Sequence, residues 1–269
     1  RYAPIQFTHA PQAFLGTIRT RFGFTQTPPT ITPEIQSMKR TVVAVALMSI
    51  GLSAAQAQEV VVKLGGAAPL TGNQSHLGKD LENGTRLAIE EANAKGVTIG
   101  GKKVKFELVG EDDQADPRTG TTVAQRLVDA GVKGVIGHLN SGTSIPASRI
   151  YDQAGIPQVS PASTNPKLTL QNFSGVFRTI ANDVQQGTGL GKYATGALGA
   201  KRVAIIDDRT AYGQGLADET AKAVKESGGE VVAREFTTDK ATDFMAILTK
   251  IRATNPELIF YGGMDAQAG

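Results

Sequence analysis

The chain contains no cysteine, which excludes disulfides, thiolate nucleophiles and cysteine-ligated metal or iron–sulfur centres. Histidine is nearly as scarce: His9, His76 and His138 have no ligand spacing with one another or with any acid, so no metal site is expected. No apolar run long enough to span a bilayer as a helix stands out; Thr41–Leu52 is too short. An excess of one charge is also missing from most of the chain. The formal +3 arises in residues 1–57, where Arg1, Arg19, Arg21, Lys39 and Arg40 face only Glu34, so residues 58–269 carry −1. The basic balance is therefore no argument for a nucleic-acid partner.

Motifs for catalysis and nucleotide binding are absent as well. Gly142-Thr143-Ser144-Ile145-Pro146 lacks the second glycine of a nucleophile elbow. The stretch from Gly72 to Gly78-Lys79-Asp80 has one residue too many for a phosphate loop, and puts an acid where a magnesium-binding hydroxyl is needed. It reads as a turn entering a helix. Gly187, Gly189 and Gly191 fall inside a helical pattern and read as helix packing, not as a dinucleotide fingerprint. Glu111-Asp112-Asp113 reads as a solvated acidic loop. No catalytic residue, cofactor or metal is expected.

What is present begins with a leader pattern. Met38-Lys39-Arg40, the apolar Thr41–Leu52 and Ala55-Gln56-Ala57 have the charge–apolar–small order of a secretory signal peptide, expected over residues 38–57 with cleavage after Ala57. Residues 1–37 hold five prolines and no sustained period, and read as an upstream disordered extension.

From Val60 onward, strand and helix patterns alternate. Strands are expected at Val60–Leu64, Lys103–Val109, Val132–Ile136, Ile156–Val159, Val176–Arg178, Arg202–Ile206, Glu230–Phe236 and Leu258–Tyr261. Helices are expected between them, one opened by Asp116-Pro117 with proline in its first turn. This is the signature of an α/β protein with parallel sheets flanked by helices. A break near Arg178–Asp183 divides it into two lobes, 58–181 and 182–269. The second lobe reads as incomplete, because no helix pattern follows Gly262-Gly263.

The richest chemistry lies between Gly137 and Thr169. Asn140, Ser141, Thr143 and Ser144 sit at a helix start, where one hydroxyl is expected to cap and the free N–H groups suit a carboxylate. Ser160-Pro161-Ala162-Ser163-Thr164-Asn165-Pro166 follows the next strand, and its carbonyls and threonine hydroxyl suit an ammonium. Both loops fall on the sheet edge where open α/β folds bind ligands. Together they complement an α-amino acid.

The segments APLTG (68–72), GKDLENGTRLAIEEANAKG (78–96), GHLNS (137–141), SPASTNP (160–166) and DDRTAYGQGLA (207–217) resemble the branched-chain amino-acid-binding proteins of bacterial ABC transporters. The resemblance runs from about Val60 to Gly269. It implies a two-lobed periplasmic-binding-protein type I fold, a periplasmic location, a small-molecule amino-acid ligand, delivery to an ABC transporter membrane permease, and a monomer without enzymatic activity. It assigns the ligand carboxylate to Ser141 and the backbone around Ser163 and Thr164, and the ammonium to the Ala162 carbonyl and the Thr164 hydroxyl. Tyr212 would line the pocket from the second lobe, Asp183 would lie at the hinge, and Leu77 near the ligand side chain. Met264 stands where some members have a ligand-contacting tyrosine. Two alternatives are a sensor domain for amides, urea or amino acids, and a secreted α/β enzyme, which would require a nucleophile–base pair in the cleft.

Overall fold

The computed structural model describes residues 59–268; the expected signal peptide and upstream extension lie outside them. The described chain forms two parallel-rich sheets. The first contains β1 (Val60–Ala68), β2 (Thr98–Ile99), β3 (Lys102–Asp112), β4 (Val135–Gly137), β5 (Gln158–Ser160) and β6 (Val176–Arg178), in the order β2-β3-β1-β4-β5-β6. Every pair is parallel except β2–β3.

Side-chain alternation gives this sheet two faces. One carries Ala67 and Val135, covered by α2 (Pro117–Asp129) and α3 (Ser141–Gln153) through Val123, Ala124, Leu127, Ala147 and Tyr151. The other shows Leu64, Phe106 and Ile136 towards α1 (Ser75–Lys95). Asn93 ties α1 to β3 by exchanging two hydrogen bonds with the Phe106 backbone, at 2.9 and 2.8 Å. Gly96 ends α1 in a left-handed conformation, φ 71°, which glycine adopts without steric cost.

The second sheet is β8-β7-β9, built from β7 (Arg202–Asp207), β8 (Glu230–Phe236) and β9 (Leu258–Gly262), all parallel. α5 (Ala211–Glu226) covers one face through Ala217 and Val224, and α6 (Met245–Ala253) the other through Ile247 and Ile251. α4 (Asp183–Thr195) packs on α5. The glycines expected to serve packing divide by face. A Cβ on Gly187 or Gly191 would come within 2.7 or 2.5 Å of α5, whereas Gly189 faces open space.

The sequence expectation differs at several points. The strand expected at Val132–Ile136 is Val135–Gly137, because Val132 is buried in the approach loop as part of the core. The β2–β3 hairpin has only two residue pairs, too short to leave an alternating pattern. A short helix, α7 (Asp265–Ala268), follows β9 where none was expected. The acidic run at Glu111–Asp113 is structured. Glu111 pairs with Arg126, Asp112 accepts from the Leu70 N–H and the Thr71 hydroxyl, and Asp113 is fully buried. The end of a parallel strand faces the next loop, so its carboxylates find donors there.

Candidate ligand site at the junction of the two sheets

β4 and β5 end side by side, and the loops that follow them are joined through the backbone of His138. Its carbonyl accepts from the hydroxyls of Ser144 (3.1 Å), Ser160 (2.8 Å) and Ser163 (3.3 Å). Its ring is fully buried between the Asp113 carboxylate (2.7 Å) and the Tyr151 hydroxyl (3.0 Å). Burial also pushes the Tyr151 phenol well above its ordinary pKa, with the charge of Asp113 adding to the shift. The side chain of Ser144 thus reaches the carbonyl of His138 and not its ring. These contacts hold the loops in register.

The hydroxyl cap expected at α3 is not made. Asn140 occupies the N-cap without a side-chain capping bond, its amide donating instead to the Gln74 side chain at 2.6 Å; Thr143 donates to the Asn140 carbonyl, and Ser144 to that of His138. The hydroxyls are committed to carbonyls, so the first turn keeps its N–H groups uncapped by any side chain. Ser141 is buried, and its Oγ accepts from the Asn165 N–H at 3.2 Å.

Arg178 braces the second loop, donating to the carbonyls of Ser163 (3.2 Å) and Asn165 (2.9 Å) and to the Thr169 hydroxyl (2.9 Å). Asn165 then donates to the Ala211 carbonyl at 2.6 Å, linking this loop to the start of α5. A second link joins His76 of α1 to Asp265 of α7 at 3.1 Å.

Between these links lies a cavity of about 520 Å³. Its walls are Leu77, Asp80 and Leu81 from α1; Leu139, Asn140 and Ser141 after β4; Pro161, Ala162 and Thr164 after β5; Ile180 and Gln186 around the crossover; and Tyr212 and Met264 from the segments that follow β7 and β9. Six of the eight residues that the resemblance places at the site therefore share one wall system: Leu77, Ser141, Ala162, Thr164, Tyr212 and Met264. Two do not line it. Ser163 turns its hydroxyl to the carbonyls of Leu139 and His138, and its N–H to Ser160 Oγ. Asp183 is fully buried beside Thr164, with no hydrogen bond to either carboxylate oxygen. Burial raises the pKa of Asp183, opposed by the nearby Thr164 hydroxyl and Arg178 and reinforced by Glu219. Burial likewise raises that of Tyr212.

Sequence reasoning missed Asp80, Leu81, Leu139, Ile180 and Gln186 as wall residues. Leu139 had a signal, since it lies between two residues of the GHLNS segment; the others reach the cavity only through the packing of α1 and α4. Among the described residues, no group of three or more histidines and acids could hold a metal ion.

Two parallel-rich sheets flanked by helices thus meet at a mostly apolar cavity. The family model described as "Periplasmic binding protein" matches residues 61–268, and the chain belongs to that family, with the type I fold of its structural neighbours. It is 41% identical over 233 residues to an amino acid binding protein of Pseudomonas aeruginosa, covering 86% of this chain and 61% of that protein. It is 41% identical over 208 residues to the Leu/Ile/Val-binding protein homolog 2 of Brucella abortus, covering 77% of this chain and 55% of that one. Among solved structures, the leucine binding protein LivK of Thermotoga maritima superimposes with a TM-score of 0.69 at 32% identity, over 74% of this chain and 55% of that one. The chain thus spans between half and two thirds of the length of these relatives.

Proposed function

We propose that this protein is an extracytoplasmic solute-binding protein that captures an aliphatic α-amino acid between its lobes and delivers it to an ABC transporter permease. The observation that carries the reading is the convergence of two chemically different polar ends on one apolar cavity. The uncapped start of α3 with Ser141 offers N–H and O–H donors and a positive dipole end for a carboxylate. The Ala162–Thr164 loop, braced by Arg178, offers oxygen acceptors for an ammonium. Leu77, Leu81, Leu139, Ile180 and Met264 supply apolar walls for a branched side chain.

The relatives support the ligand class. Two are described as amino-acid or Leu/Ile/Val binders, and the structural neighbour as a leucine binding protein. The protein has no chemistry to perform: it binds, shifts its population towards a closed arrangement that contacts the ligand from both lobes, and releases. Membership in a periplasmic binding protein family supports the extracytoplasmic location.

Thermal-shift screening against the proteinogenic amino acids, short amides and urea tests the reading. Stabilisation by leucine, isoleucine or valine is expected. Stabilisation by amides or urea, with none by the aliphatic amino acids, would replace transport of an amino acid with the sensor alternative.

A further inference from the structure

A second cavity, of about 440 Å³, adjoins the first; the two share Asn140, Tyr212 and Met264 as walls. Its character differs, because Asp116, Asp208 and Asp239 line it together with Arg209 and Lys240. The two bases are engaged. Arg209 lies over the Phe236 ring, 3.3 Å from its centre, and Lys240 acts on Asp116, whose carboxyl is held below its ordinary pKa first by the Thr119 N–H and also by the Lys240 charge. Asp208 is the group that the fold leaves incomplete. It is 1% exposed, and its Oδ1 accepts from the Thr210 N–H (2.9 Å) and hydroxyl (2.7 Å) at the entry to α5. Its Oδ2 is buried without a hydrogen-bond partner among the described residues. The Tyr261 phenol of β9 feels the charge of Asp208 but makes no hydrogen bond to it. Asn140, on the shared wall, repeats the pattern: its amide nitrogen is spent on Gln74, and its Oδ1 is buried without a partner. Buried polar atoms are normally paired, and both of these oxygens call for a donor.

We propose that this second cavity is an extension of the ligand site that receives a distal ammonium, with Asp208 Oδ2 and Asn140 Oδ1 as its acceptors, so that the protein binds diamino acids as well as aliphatic ones. The proposal rests on the amino-acid reading of the first cavity. A ligand anchored there by its α-carboxylate and α-ammonium reaches the second cavity through its side chain, past Tyr212 and Met264 on the shared wall. An unbranched methylene chain suits that passage, and an ammonium at its end carries three donors and no acceptor, matching two oxygens that lack donors. Burial makes Asp208 costly to ionise, raising its pKa against the Thr210 hydrogen bonds, and the charges of Asp239 and Asp207 add to the rise. A cation in contact relieves that cost, and poor screening makes the attraction strong. A distal carboxylate would set oxygen against oxygen. A bare metal ion does not fit either, since among the described residues no three histidines or acids are grouped to hold one.

The test uses isosteric pairs in which a terminal methyl replaces the distal ammonium: L-ornithine with L-norleucine, and L-lysine with L-2-aminoheptanoate. Each is titrated by calorimetry, beside L-leucine, into the full chain and its Asp208→Asn variant. In the wild type, at least one diamino acid should bind as tightly as its isostere or more tightly. The isostere binding more tightly in both pairs overturns the proposal, and this arm decides even where the variant fails to fold. Asparagine keeps an acceptor for Thr210 and removes the charge. Asp208→Asn should therefore retain leucine binding and weaken the diamino acid relative to its isostere by at least about tenfold; an unchanged ratio overturns the role of Asp208. Leucine bound by a wild type that takes neither diamino acid refutes the extension and leaves the amino-acid reading standing. A wild type that binds no amino acid of this set overturns that reading and the proposal with it.

Discussion

Two glycines separated by one residue on α4 should respond in opposite directions to the same substitution. Gly191 faces α5, where an added Cβ would meet the Ala223 Cβ at 2.5 Å, the Val224 nitrogen at 2.9 Å and the Ala223 carbonyl carbon at 3.0 Å. Two of those atoms are backbone, so relief requires the helices to separate. Gly189 has nothing within 4 Å of the same added atom. Replacing a helix-interior glycine with alanine gains about 0.8–1.0 kcal/mol of intrinsic propensity, and at Gly189 that gain should appear almost undiminished. At Gly191 it is set against overpacking of about 1–3 kcal/mol, and the backbone contacts put the cost in the upper part of that range. Gly189→Ala should therefore raise the melting temperature by roughly 2–4 °C, and Gly191→Ala should lower it by a similar amount. Circular-dichroism melts of the two variants and of Gly191→Ala/Ala223→Gly check this. The double variant should show favourable coupling in a mutant cycle, because it removes the nearest clash. If Gly191→Ala stabilises as Gly189→Ala does, the close approach of α4 and α5 is wrong.

Other expected outcomes follow from buried polar groups. His138→Ala removes the partner of the buried Asp113 Oδ2, leaving Oδ1 on the Ala115 N–H, and should cost about 1–3 kcal/mol in urea unfolding, whereas Tyr151→Phe should cost about 1 kcal/mol for one hydrogen bond. Asp112 and Asp183 should give opposite pH dependences. Burial pushes the pKa of Asp112 up, but hydrogen bonds from Thr71, Gln114 and Leu70 outweigh it and hold it below the ordinary value. Its contribution is present above the unfolded pKa and lost as pH falls through the folded one. Asp183 is raised, so its ionisation destabilises the fold as pH rises past the unfolded value. Asp183→Asn should be more stable than the wild type at neutral pH, with the difference vanishing below about pH 4; a constant difference across that range would contradict the burial argument. Ser141→Ala and Thr164→Val should each weaken leucine binding by about 1.5–3 kcal/mol, the worth of a hydrogen bond to a charged group, as read by calorimetry.

Much of the fold was legible because local patterns and long-range packing agree. The strands at Val176–Arg178 and Glu230–Phe236 appear at the residues expected, each preceded by glycine-containing turn residues. The wall at Ser141, Ala162 and Thr164 was legible because two successive strand ends must lie on one edge of a parallel sheet. What escaped depends on contacts between residues distant in sequence. Asp113 and His138 are separated by 25 positions and read singly as a loop acid and an isolated histidine, yet they form a buried pair. Thr143 and Ser144 resembled caps, but nearby carbonyls claim their protons. Neither the burial of Asp183 nor the inward turn of Ser163 has a local signature, since each is decided by how the β5 loop meets α4 and β4.

The most direct test of the central claim is a crystal structure of the protein grown with L-leucine. The ligand should occupy the cavity with its carboxylate at the Ser141 end of α3, its ammonium at the Ala162 carbonyl and Thr164 hydroxyl, and its side chain among Leu77, Leu139 and Met264. Leucine bound with its polar ends reversed, or bound outside this cavity, would contradict the account.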